Sequence, residues 1–290
     1  MSYHAIKEWI AMSEEKNIPL WEVVLQDDMA ERDVSREESI QEMENIWKAM
    51  LLSAEQYDGS LRSNSGLVGT DGKKLEEYGK KGDTLCGDFI NKVMTQAVQV
   101  SESNACMKRI VAAPTAGSCG IMPAVFVTLL KENKATEKQI IEALYIASGI
   151  GKVVAERASI AGASGGCQAE VGTASAMTAG GLAAIKGGTP KQVGDAAAIA
   201  LKNLLGLACD PVAGLVEVPC VKRNVIGAVN AVAAADMVLA GIESVIPPDD
   251  VIDAMGQIGR EMSYKIKETA MGGLAATPTG QAIAERVLQK

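Results

Sequence analysis

An all-α fold is predicted for this 290-residue chain by three features. Apolar residues recur at three- and four-residue intervals between Ser, Thr or Pro start signals, as amphipathic helices require. No run of alternating β-branched residues stands between those stretches, so nothing supplies a sheet. Aromatic residues make up only 3% of the chain while alanine and glycine abound, a composition suited to helices that cross closely through small side chains.

The first sixty residues read as a layer of charged amphipathic helices over roughly 3–16, 19–31 and 35–56. Ser35 followed by Glu38 is a capping box. Ile40, Met43, Ile46, Trp47, Met50 and Leu51 fall on one stripe, which a core contact explains without a cofactor. Residues 57–83 break the pattern with Gly, Ser, Asn and Asp and read as a long loop holding Asn64, Ser65 and Lys73. Loops beyond about 12 to 15 residues in a compact domain are usually functional or disordered. Further helices are expected at 86–102, 121–133, 136–157, 168–185, 190–205, 225–242 and 248–262, with Thr136 and Thr189 as caps and Pro190 and Pro248 in first turns. A soft boundary near residue 60 separates the charged layer, 1–60, from an alanine-rich part, 61–290, in what reads as one continuous domain.

A hydrophobic content of 48% can fill a substantial core. The 28 basic residues are outnumbered by 36 acidic ones, giving a net charge of −8, and no arginine-rich stripe is present, so nucleic acid is not an expected partner. The start lacks the basic and apolar regions of a secretory signal, so a cytoplasmic location is expected. Asn230, Asp236 and Glu243 interrupt the nearly charge-free stretch 225–246, which therefore reads as a buried helix and not a membrane span. In that setting six cysteines are thiols or ligands and not disulfides.

Three of them, Cys167, Cys209 and Cys220, lie in glycine- or proline-rich loops between helices. Three thiolates are one short of a closed four-ligand site, so their convergence implies a metal centre with one position open to substrate. Cys167 opens a helix, where a thiol is more acidic, although taken alone a structural cysteine is the safer reading. With His4 as the only histidine, zinc would lack its usual second ligand type. The segment APTAGSCG, 113–120, precedes a helix, and its amides with Thr115, Gly117 and Ser118 could receive a substrate carboxylate. An ordinary turn before a helix is the equal alternative.

The segments APTAGSCGIMPAV, GGCQAEVGTASAM and GLACDPVAGLVEVPCVKRNVIGAVNA closely resemble the catalytic α chain of bacterial iron–sulfur-dependent L-serine dehydratases, and the resemblance covers most of residues 60–245. It implies a [4Fe–4S] cluster in place of pyridoxal phosphate, with Cys167, Cys209 and Cys220 as its ligands; Cys86, Cys106 and Cys119 match none. It also implies L-serine as substrate, a separate β chain and a higher oligomer. Some single-chain relatives end in a cysteine tail that can occupy the open iron; this chain has no cysteine after Cys220. On this reading Thr115, Gly117 and Ser118, with Asn64, Ser65 and Lys73 from the long loop, bind the substrate. The base is a histidine of the β chain or, failing that, Ser164 or Lys152. The rivals are a cluster hydro-lyase acting on threonine or a hydroxy acid, and a non-enzymatic iron–sulfur protein.

Overall fold

The computed structural model describes residues 3–289, and among them every regular element is helical. Three N-terminal helices come first: α1 (Ile6–Lys16), α2 (Leu20–Arg32) and α3 (Arg36–Glu55). The expected capping box is present at α3, where the Ser35 hydroxyl accepts from Glu38 N and the Glu38 carboxylate accepts from Ser35 N. Thr136 and Thr189 form equivalent boxes at the starts of α7 (Glu137–Arg157) and α10 (Pro190–Lys202). Each such cap satisfies amide donors the helix cannot use and is worth about 1 kcal/mol.

At the centre lies α9 (Thr173–Ile185), whose residues 173–183 are all buried. A helix apolar on every face can only be stable when covered on every face. Its covering is α6 (Ile121–Lys131), α7, α10 and α11 (Cys220–Leu239). Small residues make that crowding possible: a Cβ on Gly180 would stand 2.5 Å from the Ile150 side chain. The charged layer joins the same core, since Trp9 of α1 and Trp47 of α3 are fully buried within it. Around this centre sit α4 (Asp71–Gly79) and α5 (Gly87–Ala105) on one side, and the short α8 (Gly162–Gly165), α12 (Pro248–Glu261) and α13 (Pro278–Leu288) elsewhere.

Four elements differ from expectation. The stretch 57–83 contains α4, which is short and flanked by glycines, so its periodicity was too brief to register. It is anchored by the buried Glu102 carboxylate of α5, which accepts from Tyr57 Oη (2.8 Å), Gly69 N (3.0 Å), Asp71 N (2.9 Å) and Gly72 N (3.1 Å). An anionic acceptor at the start of a helix meets its unpaired amides. The expected helix 168–185 is α9 preceded by a π-helical turn, Gln168–Gly172. Helix α11 starts at Cys220, one and a half turns before the expected start. Helix α13 was not anticipated, because the glycines before it masked the Thr277 cap and Pro278 start signals. No helix among the described residues is long and apolar enough to cross a membrane.

Candidate active site

Cys167, Cys209 and Cys220 are all buried, at 3%, 2% and 8% exposure, and all six cysteines are free thiols. Three connections bring their loops together. Gln168, fully buried beside Cys167, donates to Gly165 O (2.9 Å) and Met255 O (3.1 Å) and accepts from Gly206 N (2.8 Å), tying the first cysteine loop to α12 and to the second loop. Arg223, one turn after Cys220, donates to Ala208 O (2.7 Å) and to Asp210 Oδ1 (2.9 Å), so the guanidinium straps Cys209 from both sides. Asn224 donates to Gly117 O (2.8 Å) and Cys220 O (3.0 Å) and accepts from Gly120 N (2.9 Å), pinning the 113–120 turn against the third cysteine.

Between the loops stands Glu170, carried inward by the π-helical turn. Its Oε1 accepts from Thr115 Oγ1 (2.7 Å), and its Oε2 lies 3.8 Å from Cys209 Sγ. A Cβ on Gly162 would come within 2.7 Å of Glu170 Oε2 and 3.0 Å of Cys209 Sγ, so only glycine lets that backbone pass. Burial pushes the Glu170 carboxyl up; the Thr115 bond opposes this and the nearby charge of Glu268 reinforces it.

The thiols respond to the same crowding. The hydrogen bond from Cys209 lowers Cys167, against its burial and with the help of the Arg223 charge. Cys209 is raised in turn, first because it shares that proton and then by burial. Burial pushes Cys220 up to about 12, with Cys167 and Glu170 adding to the effect. The Arg223 guanidinium thus acts on Cys167 and Cys220, and the Glu170 carboxyl lies beside Cys209.

Among the described residues no three His, Cys, Asp or Glu side chains close on a point where a single metal ion could sit. A polynuclear cluster makes a different demand, because each thiolate binds its own iron. Three buried thiols, two in loops and the third at the start of α11, with no fourth cysteine among them, fit that demand by number and donor type. The remaining cysteines do not join them: Cys86 is exposed, Cys106 half-buried, and Cys119 a core thiol that burial pushes up to about 12.

The other anticipated residues are distributed unevenly. Thr115 and Gly117 face Glu170, and Ser118 is fully buried with its hydroxyl 3.2 Å from Thr115 Oγ1. The amides expected to open toward an anion at the start of α6 do not all do so, since Gly120 N is taken by Asn224 inside the core. Ser63 and Ser65 both donate to the buried Glu217 carboxylate, three residues before Cys220, so the long loop does reach the third cysteine. Asn64 and Lys73 are exposed, and Lys73 donates its backbone N–H to Tyr57 Oη. Ser164 is exposed on α8. The Lys152 ammonium is bound to Asp27 (3.0 Å) and Glu31 of α2, a structural pairing that joins α7 to the N-terminal layer. His4 is paired with Glu156 at 2.7 Å on the surface. Glu170, Arg223 and Asn224 were missed. Their signal lies in the spacing, each being three or four residues after a cysteine and so on the same face of its helix.

Three buried thiols, with the half-buried Glu170 carboxyl and Arg223 guanidinium beside them, thus lie together in an all-helical protein. The chain belongs to the serine dehydratase alpha chain family, whose model matches residues 15–275. It is a lyase family. The chain is 46% identical over 285 residues to the probable L-serine dehydratase alpha chain of Bacillus subtilis (98% of this chain, 95% of the relative). It is 40% identical over 285 residues to the L-serine dehydratase alpha chain of Peptoniphilus asaccharolyticus (98% of each chain). L-serine dehydratase 2 of Escherichia coli, a longer protein, is 40% identical over 251 residues, which cover 83% of this chain and 54% of that one.

Proposed function

We propose that this chain is the catalytic subunit that converts L-serine to pyruvate and ammonia, with a [4Fe–4S] cluster held by Cys167, Cys209 and Cys220. The observation that carries the reading is the convergence of these three buried thiols around Glu170 and Arg223. When bound, the cluster supplies a Lewis acid for the substrate's β-hydroxyl.

The chain's own residues do the rest by position. Arg223 is held as a cation: burial opposes its charge, but Cys167 and Asp210 more than offset that, and it supports the thiolate form that ligation requires. Glu170, fixed by Thr115, is an acceptor that orients the substrate hydroxyl. The 113–118 turn borders the same space through the bond from Thr115 to Glu170.

Dehydration removes the Cα proton and the β-hydroxide, together one water, and leaves aminoacrylate. That product tautomerises to an imine and hydrolyses to pyruvate and ammonia. This chain offers a poor proton acceptor, because its one histidine is paired with Glu156, Ser164 is exposed and Lys152 is bound to two carboxylates. The base is therefore assigned to a histidine of a separate β chain. The relatives' designation as alpha chains supports such a partner, as does the longer relative of which this chain matches about half.

Anaerobic co-purification with the β chain tests the reading. A broad visible absorbance that changes on adding L-serine, and is lost in Cys167→Ala, Cys209→Ala and Cys220→Ala but kept in Cys86→Ala, is expected. Full serine turnover after iron chelation would overturn it.

A further inference from the structure

Helices α4, α5 and α6 border a shared trough of about 440 Å³ to which no cysteine contributes. The α5 residues that line it, Asn91, Thr95 and Gln99, recur at helical spacing, as do Thr128 and Lys131 on α6. A different face of α5 meets the 113–120 turn, where a Cβ on Gly120 would stand 2.5 Å from Ser101 Oγ and 2.6 Å from Ala97 O. The trough and the cysteine site therefore lie on different sides of one helix.

The floor of the trough is polar and unusually short of partners. Asn91, Thr95 and Thr128 are only 5%, 8% and 4% exposed, yet none of their side chains hydrogen-bonds to a described residue. Threonines inside helices commonly return the hydroxyl to the preceding turn, as Thr178 does to Ala174 O at 2.7 Å; Thr95 and Thr128 do not. Gln96, also buried, gives its amide to Ala54 O (3.3 Å) and Gln99 Oε1 (3.5 Å), and its carbonyl oxygen receives no donor. Gly79 of α4 leaves Asn91 its room, since a Cβ there would stand 2.1 Å from Asn91 Oδ1. Buried polar groups in native proteins nearly all have partners, so several unpaired ones in one trough mark it as more than a packing surface.

The charges at the rim are settled among themselves, with one exception. Lys80 pairs with Glu76 at 2.6 Å, and Lys92 with Asp88 (2.6 Å) and Glu132 (2.8 Å). Lys131, exposed at the end of α6, has no ion-pair partner among the described residues. One uncommitted cation thus stands beside neutral groups that both donate and accept. A hydroxylated anion is the complement: its hydroxyls match amide and threonine in both directions, and its acidic group matches the ammonium. The volume falls within the range of about 300–1,000 Å³ usual for small-molecule sites. A partner helix would need apolar anchors in its groove, and the lining residues include no apolar side chain.

We propose that the trough between α4, α5 and α6 binds a small hydroxylated anion, with Asn91 and Thr128 meeting its hydroxyl groups and Lys131 its carboxylate or phosphate. This is a second ligand site, separate from the cysteine site and independent of the reading given for it.

Titration calorimetry on the full chain, alone and in the α/β holoenzyme, tests the assignment. The probes are D-gluconate, a hydroxylated carboxylate, and D-glucose 6-phosphate, a hydroxylated phosphate ester. Sorbitol, which lacks the charge, and inorganic phosphate, which lacks the hydroxyls, are the controls. At least one of the two hydroxylated anions should bind saturably and about fivefold or more tighter than either control, and the tighter of the two identifies the acidic group. Thr128→Val, which keeps the shape and removes the hydroxyl, and Lys131→Met, at an exposed position, should each weaken that binding by about fivefold. Both should keep the parent's serine turnover, and Lys131→Met its unfolding midpoint, so that it carries the test even where Thr128→Val fails to fold. The inference is overturned by no saturable binding of either anion, by inorganic phosphate binding as tightly, or by affinity untouched in Lys131→Met. Binding that vanishes in the holoenzyme overturns it too, since the β chain would then cover the trough.

Discussion

Arg223 Nη2 stands 2.9 Å from Asp210 Oδ1, and this ion pair, with its members 16% and 7% exposed, carries the loop between the second and third cysteines. The same Asp210 also accepts from Leu274 N, in the segment that follows α12. Breaking a buried pair by removing one member leaves the other charge unpaired, at about 3–5 kcal/mol. Arg223→Met should lower unfolding stability by that amount and reduce cluster content. Arg223→Lys, which keeps the charge but loses the fork that spans Ala208 and Asp210, should show a smaller loss. Denaturant unfolding and iron content measure the two effects.

Glu102 makes four bonds to the 57–72 segment, none of them to the cysteine loops. Glu102→Gln substitutes an amide, whose NH2 faces donors it cannot bind. A loss of about 2–3 kcal/mol is expected, with protease cutting and fast amide exchange confined to residues 57–83. An unchanged exchange pattern there would show that Ser63, Ser65 and Glu217 hold the loop unaided.

Lys152 provides a sharp separation between structure and chemistry. Its ammonium meets the nearly buried Asp27, which is 3% exposed, so Lys152→Met should cost about 2 kcal/mol of stability. It should leave kcat within about twofold. A kcat reduced by orders of magnitude at full cluster occupancy would restore Lys152 as the base.

At the junction of α2 and α3, the bond from the Arg36 guanidinium holds the Glu22 carboxyl below the usual glutamate range, against a desolvation that raises it. The folded state therefore binds that proton less readily than the unfolded chain. The pair's contribution is fully present above the ordinary glutamate range and is lost as pH falls through the lowered value. Being partly exposed, it amounts to about 0.5 kcal/mol. Arg36→Met should flatten the acid side of the stability curve by that amount and leave the neutral plateau of the pH dependence otherwise unaltered in shape.

Much of the fold was legible because helix signals are local. Ser35, Thr136 and Thr189 announce their helices through a partner three residues on, and Pro190 and Pro248 sit in first turns as anticipated. Helix α4 escaped because its anchor, Glu102, lies thirty residues later in the chain. The site divides in the same way. The three thiols stood out by residue type and loop context, and Thr115 by its neighbourhood in the 113–120 turn. Glu170 and Arg223 were visible only as residues one turn after a cysteine, a spacing that many surface residues share. The segment 262–274 had no local signal, since its place is set by a backbone pairing of Ile266 and Glu268 with Cys209 across more than fifty residues.

That pairing has a bearing on how the protein is made. Domains begin to fold from the N-terminus as the chain is synthesised. The helices around α9 are complete once α11 has emerged from the ribosome, and all three thiols are then present. Cys209 still lacks both of its backbone partners, and Asp210 lacks Leu274, until residues 262–274 follow. The surroundings of Cys209 are thus finished only after the helical core around α9.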